Sequence, residues 1–84
     1  MRLTIYSRAG CHLCEEMEAA VRGAAAEFGA PLEIVDVDGD PELARLYGLE
    51  VPVLLINGRK SAKFRVDADR LRKRLAREIG GQFR

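Results

Sequence analysis

Cys11 and Cys14 are the only cysteines among 84 residues, and the run Cys11-His12-Leu13-Cys14 sets them one helical turn apart. A dithiol or disulfide site needs this spacing, because both sulfurs then lie on one turn, close enough to close a ring. The pair stands where an apolar run ends and a helical pattern begins. A helix starting there turns its unpaired N–H groups and the positive end of its dipole toward the first sulfur. Such a field favours thiolate over thiol at Cys11, and the thiolate is the form that attacks disulfides. His12, beside the nucleophile, reads either as a group that tunes its charge or moves a proton, or as an exposed loop side chain. Arg8 adds positive potential ahead of Cys11, which Glu15 and Glu16 oppose while favouring the helix itself. Four-coordinate zinc needs a second Cys/His pair, which the chain lacks, and adjacent Cys11 and His12 are poorly set to grip one ion. No metal site within one chain is expected.

The elements that must hold this turn follow from the hydrophobic pattern. Arg2 to Ser7 alternates as a short strand, with Leu3 and Ile5 on one face and Thr4 and Tyr6 on the other. After Cys11, the residues Leu13, Met17, Ala20, Ala24 and Phe28 recur at helical spacing, with Met17 as core filler, until Gly29 and Pro31 stop the helix. Leu32 to Val37 reads as a second strand, parallel to the first through a right-handed crossover. Asp40 caps and Pro41 opens a short helix to Tyr47, stopped at Gly48. The Asp36-Val37-Asp38-Gly39-Asp40 run is no calcium loop, because Pro41 and Tyr47 occupy the positions that require Gly and Glu. Val53 to Ile56, apolar on both faces, is a buried strand, and Asn57-Gly58 turns it back into an edge strand from Arg59 to Val66. In that edge strand Ala62, Phe64 and Val66 are expected to face inward. Asp67 caps a final helix with Ala68, Leu71, Leu75 and Ile79 as its apolar stripe and Gly80-Gly81 as its end. The fold class is therefore α/β, a βαβαββα chain with a four-stranded mixed sheet of order 4-3-1-2 and helices on both faces. This topology brings the end of the first strand, and Cys11, beside the start of the third strand, and Pro52.

One small domain over residues 1–84 is all that this length supports. Apolar content of 48% and charged content of 32% are ordinary globular values, which disfavour disorder and membrane embedding. The segment after Met1 reads as a strand and then a charged helix rather than as a leader, so the expected compartment is the cytoplasm. Two cysteines there serve chemistry more readily than they serve as a staple. Net charge is +1, yet residues 1–58 hold 4 basic and 10 acidic side chains and residues 59–84 hold 10 and 3. That asymmetry reads either as a mark of an anionic partner or as a solvated, Arg-rich final helix. No aromatic residues interleave with the charges of that final helix, so nucleic acid is not an expected partner.

Tyr6-Ser7 ahead of Cys11-X-X-Cys14, Val35-Asp36-Val37, and Val51-Pro52-Val53 followed by Ile56-Asn57-Gly58 make the chain resemble the glutaredoxin branch of the thioredoxin-like superfamily over nearly its whole length. With His12-Leu13 in place of the common Pro-Tyr, it looks like the divergent branch that has a Cys-His-Leu-Cys site. The resemblance implies that the Val51-Pro52 bond is cis, that Pro52 lies against the cysteines, and that the Val51 backbone pairs with a substrate chain. A proline there lacks an N–H and leaves neighbouring peptide groups open for strand-like recognition. Arg8 and His12 complete the set of residues expected to meet the substrate. Glutaredoxins hold glutathione's glutamyl end with Gly-Gly and an acidic pair after strand four, but this chain reads Lys63-Phe64-Arg65-Val66-Asp67 there. That part of the resemblance does not carry over, and weak glutathione-coupled activity is expected.

The expected function is thiol–disulfide exchange by a monomer with no bound cofactor. Cys11 attacks a protein or small-molecule disulfide, Cys14 resolves the mixed disulfide, and an external thiol reductant or reductase restores the dithiol. The alternative is a binding module that shares a metal or iron–sulfur cluster between two chains through the same thiols.

Overall fold

The structure, a computed structural model, describes residues 1–82. β1 (Leu3–Ser7) leads into α1 (His12–Phe28), then β2 (Leu32–Asp36), a single 3-10 turn (Val37–Gly39), α2 (Pro41–Tyr47), the hairpin β3 (Val53–Ile56) and β4 (Arg59–Lys63), and α3 (Ala68–Gln82). The sheet runs β2-β1-β3-β4, the expected order read from its other edge. β1 pairs parallel with β2 in the register Leu3↔Leu32 to Ser7↔Asp36, and antiparallel with β3 from Leu3↔Ile56 to Tyr6↔Val53.

Alternation along β1 decides the layering. Leu3 and Ile5, both fully buried, share a core with Leu54 and Ile56 of β3, Met17, Val21, Ala24 and Ala25 of α1, and Leu71 and Leu75 of α3. Two helices thus cover one face of the sheet. Tyr6 points the other way and stacks on Tyr47 of α2, with ring centroids 4.6 Å apart, so α2 covers part of the opposite face. Each fully buried Leu or Ile contributes about 1.5–3 kcal/mol relative to exposure.

Local chemistry sets the ends of the elements. Asp40 accepts hydrogen bonds from the Glu42 and Leu43 N–H groups at the start of α2, and Asp67 accepts one from the Arg70 N–H at the start of α3. Gly29 closes α1 in the left-handed region, at φ 65°. Asn57 and Gly58 both have positive φ, 53° and 83°, as a tight two-residue hairpin demands.

Five expectations are corrected. β2 ends at Asp36, because the Asp36 carboxylate accepts from the Asp38 N–H and starts a turn that takes in Val37. β4 ends at Lys63 instead of Val66. Leu54 pairs with Ala62 and Leu55 with Lys60, so Ser61 is an extra, bulged residue that breaks the two-residue period. Phe64 consequently leaves the sheet at φ 68° and is 41% exposed rather than inward-facing. At the C-terminal end, α3 runs through Gly80-Gly81 to Gln82, because glycine stops a helix only when it turns left-handed and otherwise costs about 1 kcal/mol. On the same helix Ala68 is exposed and Ile79 half-buried, so the fully covered stripe narrows to Leu71 and Leu75.

Candidate active site

Cys11 is the N-cap of α1, and its position follows from the loop before it. β1 ends at the buried Ser7, Gly10 takes φ 73° to turn the chain, and α1 starts at His12. The Cys14 N–H donates to the Cys11 sulfur at 3.1 Å, and the Glu15 N–H donates to the Cys11 carbonyl at 3.1 Å. The two cysteines form a disulfide with their Cα atoms 5.1 Å apart. Their exposure differs sharply, since Cys11 is partly open to solvent whereas Cys14 is completely buried. One sulfur is therefore presented and its partner is held behind it.

The Val51-Pro52 peptide bond is cis, with Pro52 fully buried and Val51 partly so. Because Tyr6 pairs with Val53, Pro52 lies at the end of β1 from which the Cys11 loop departs. The Pro52 carbonyl accepts from the Phe64 N–H at 2.8 Å, which ties the residue after β4 to the turn before β3. Leu13, Glu16 and Met17 of α1 and Phe64, Arg65 and Val66 of the β4–α3 connection line a groove of about 230 Å³ beside the cysteine turn.

Arg8 does not stand as an unpaired cation facing Cys11. Its guanidinium donates to both Asp38 oxygens at 2.8 and 2.9 Å and to the Gly48 carbonyl at 3.0 Å, so it clamps the cysteine loop to the 3-10 turn and to the end of α2. Hydrogen bonding to Arg8, with its positive charge, holds the Asp38 carboxyl below the usual carboxylate range, and Asp38 in turn raises the guanidinium. His12 extends into solvent, its side chain 85% exposed and 3.8 Å from Glu16. On the other flank, Lys60 donates to Glu50 at 2.6 Å and Lys63 stands 3.9 Å away, which lowers the Glu50 carboxyl.

Sequence reasoning missed three residues at this site. Ser7 donates from its buried hydroxyl to Glu18 at 2.9 Å, fastening the strand end to α1 one turn beyond Cys14. The i,i+4 spacing of Cys14 and Glu18 was the available signal. Phe64 alternates with Ala62 and so reads in the sequence as an ordinary edge-strand residue. Leu49, 96% exposed just ahead of Val51-Pro52, carried no signal beyond its place between Gly48 and Glu50. Among the described residues no three His, Cys, Asp or Glu side chains converge as a metal site, and no helix is long and apolar enough to cross a membrane.

Comparison with known proteins adds a family and a fold. The model of the "Glutaredoxin-like domain (DUF836)" family matches residues 2–76. An uncharacterized protein of Mycobacterium tuberculosis is 32% identical over 85 residues, covering 95% of this chain and 88% of that protein. The X-ray structure of the structural-genomics target XcR50 from X. campestris is 37% identical with a TM-score of 0.66, over 88% of this chain and 95% of that one. Thioredoxin 1 from Thermosipho africanus is only 17% identical, but matches with a TM-score of 0.74 over 100% of both chains, which shows the fold alone. The fold is thioredoxin-like, and a disulfide between Cys11 and Cys14 at the head of α1 fits a redox role.

Proposed function

The chain belongs to the glutaredoxin-like domain family, and from that premise we propose that it is a thiol–disulfide oxidoreductase with Cys11 as nucleophile and Cys14 as resolving thiol. The observation that carries this reading is the contrast between the two sulfurs. Cys11 is reachable and receives the Cys14 N–H at the helix start, whereas Cys14 is sealed behind it. In the reduced protein that N–H and the helix end favour a thiolate on Cys11. This thiolate attacks one sulfur of a substrate disulfide, a Cys11–substrate bond forms, and the other substrate sulfur leaves as thiolate and takes up a proton. Cys14 then gives up its proton and attacks the Cys11 sulfur, which expels the second substrate thiolate. Two electrons have passed from the protein to the substrate, and the protein disulfide is closed. An external thiol reductant or reductase returns the two electrons, and the cytoplasm is the compartment that supplies one.

The substrate this surface suits best is a polypeptide disulfide. The Val51 backbone ahead of the buried Pro52 offers a strip for strand-like pairing, while Leu49, two residues earlier, and Phe64, whose N–H bonds the Pro52 carbonyl, present exposed apolar surface. His12 stands where an incoming chain would meet it, and Arg8 serves as a positioning residue through Asp38 and Gly48.

A Cys14→Ser variant incubated with a disulfide-bonded peptide tests the assignment. A stable adduct on Cys11, seen by mass spectrometry and absent in a Cys11→Ser variant, is expected. No adduct on an intact Cys11 thiol would refute the exchange reading. A visible iron–sulfur absorbance in anaerobically purified protein would instead favour the shared-cluster alternative.

A further inference from the structure

The excess of basic residues after position 58 is not spread evenly around α3. Arg70, Arg74 and Arg77 fall at i, i+4 and i+7, on the row beside the buried Leu71 and Leu75, and face β4. Together with Arg65 they line a groove of about 420 Å³ between β4 and α3, floored by Ala62, Val66 and Leu71. Arg72 points elsewhere, pairing with Glu27 of α1 at 2.7 Å. The acidic groups at the groove are Asp67, whose carboxylate caps α3, and Glu78, which pairs with Arg74 at 2.9 Å. Arg65, Arg70 and Arg77 make no ion pair among the described residues, and the exposed Lys73 adds a further charge alongside Arg70 and Arg77.

This groove borders the one beside the cysteines. Arg65 and Val66 line both. A chain lying across Val51 and Phe64 therefore has a basic track ahead of it. Its spacing suits an extended acidic chain: four helical residues rise about 6 Å, and same-face residues of an extended chain repeat every ~6.6 Å. Guanidinium groups pair with carboxylates in forked geometry, so arginines in a row favour carboxylate over a diffuse anion. The groove has no aromatic wall on which a base could stack, which disfavours single-stranded nucleic acid.

We infer that the β4–α3 groove docks an extended, Asp/Glu-rich segment of the polypeptide whose disulfide the cysteine pair exchanges. The inference rests on the exchange function for its purpose but not for its test. The docking contributes attraction and orientation, and leaves the sulfur chemistry to Cys11 and Cys14.

Fluorescence anisotropy with a labelled, cysteine-free peptide of alternating Glu and Ser tests it, with a Gln-for-Glu peptide and a single-stranded DNA oligomer of equal charge as comparison probes. The acidic peptide should bind the wild-type protein, and its affinity should fall as salt rises from about 0.02 to about 0.2 M. An Arg70→Gln/Arg77→Gln double variant, shown folded by circular dichroism, should bind about tenfold more weakly, since two charge-assisted contacts are gone. Arg22→Gln, on the exposed side of α1, should bind like wild type. Equal binding of the Gln peptide, an unchanged double variant, or tighter Arg70/Arg77-dependent binding of the DNA would each overturn the inference. Because the probe has no cysteine, these outcomes are independent of whether Cys14→Ser traps a mixed disulfide.

Discussion

Replacing Phe64 by glycine should leave the protein more stable than replacing it by alanine, the reverse of the order found at ordinary positions. Both substitutions remove the same ring, 41% exposed and 5.6 Å from the Lys63 ammonium, so the loss of its packing cancels in the comparison. What remains is the backbone. Phe64 sits at φ 68°, where a residue with a Cβ is disfavoured by roughly 1–2 kcal/mol. Glycine escapes that penalty, but loses roughly 0.5–1 kcal/mol more chain entropy on folding. The difference leaves the glycine variant ahead of the alanine variant by about 0.5–1 kcal/mol. For a domain of this size that is a separation of about 3–6 °C in Tm. Urea and thermal unfolding of both oxidised variants, followed by circular dichroism, measures it directly. An alanine variant equal to or more stable than the glycine variant would refute the reasoning, because it would mean that the residue after β4 is not held left-handed. Kinetics with a polypeptide disulfide separate backbone from ring: an equal fall in kcat/KM for both variants assigns the effect to the lost ring beside Leu13 and Met17.

Leu75→Ala, at a fully buried position where α3 seals the core, should cost about 2–5 kcal/mol in urea unfolding, and a loss below about 1 kcal/mol would contradict the packing described. Asp38 has a native carboxyl below the usual range, so its contribution is complete above the unfolded carboxylate value of about 4 and is lost as pH falls through the lowered native value. Asp38→Asn should therefore flatten the fall in urea midpoint between about pH 5 and pH 2, and an unchanged slope would show that the Arg8 pair contributes nothing. Gly48→Ala should destabilise by about 1–3 kcal/mol, because its Cβ would run into the Ala44 carbonyl oxygen and come within 3.1 Å of the Arg8 guanidinium; an unchanged Tm would show that the end of α2 relaxes freely.

Where bonds are short-range, the sequence alone was enough. Asp40, Pro41 and Gly48 mark the bounds of α2, and Val53 to Ile56 with Asn57-Gly58 mark β3 and its turn, because cap, helix start and hairpin chemistry act within a few residues. The extent of β4 was not legible, because a bulge at Ser61 shifts the alternation and nothing about a serine announces it. The end of α3 misled for a related reason, since Gly-Gly permits a helix stop without compelling one. At the site, the cysteine pair and Pro52 stand out by type and spacing. Arg8 stood out as well, but its partner Asp38 is 30 positions away, and only the fold turns its charge from a field on Cys11 into a clamp.

The same contacts explain how a 9.3 kDa chain holds the cysteine turn in place. Cys11 lies on a short loop that has little packing of its own, and three ties from separate elements surround that loop. Ser7 to Glu18 fixes the strand end to α1, Arg8 to Asp38 and Gly48 fixes the loop to the far side of the sheet, and Phe64 to Pro52 fixes the turn before β3. The first begins at a buried hydroxyl and the third joins two backbone groups, whereas the Arg8 pair is half-exposed and open to screening by salt. Loosening by salt should therefore begin at the Arg8 side and reach the Pro52 side last. The presented sulfur and the Val51-Pro52 turn thus have different sensitivities to salt. Loss of the Arg8 clamp should disturb the placing of Cys11 before it disturbs the Val51-Pro52 turn.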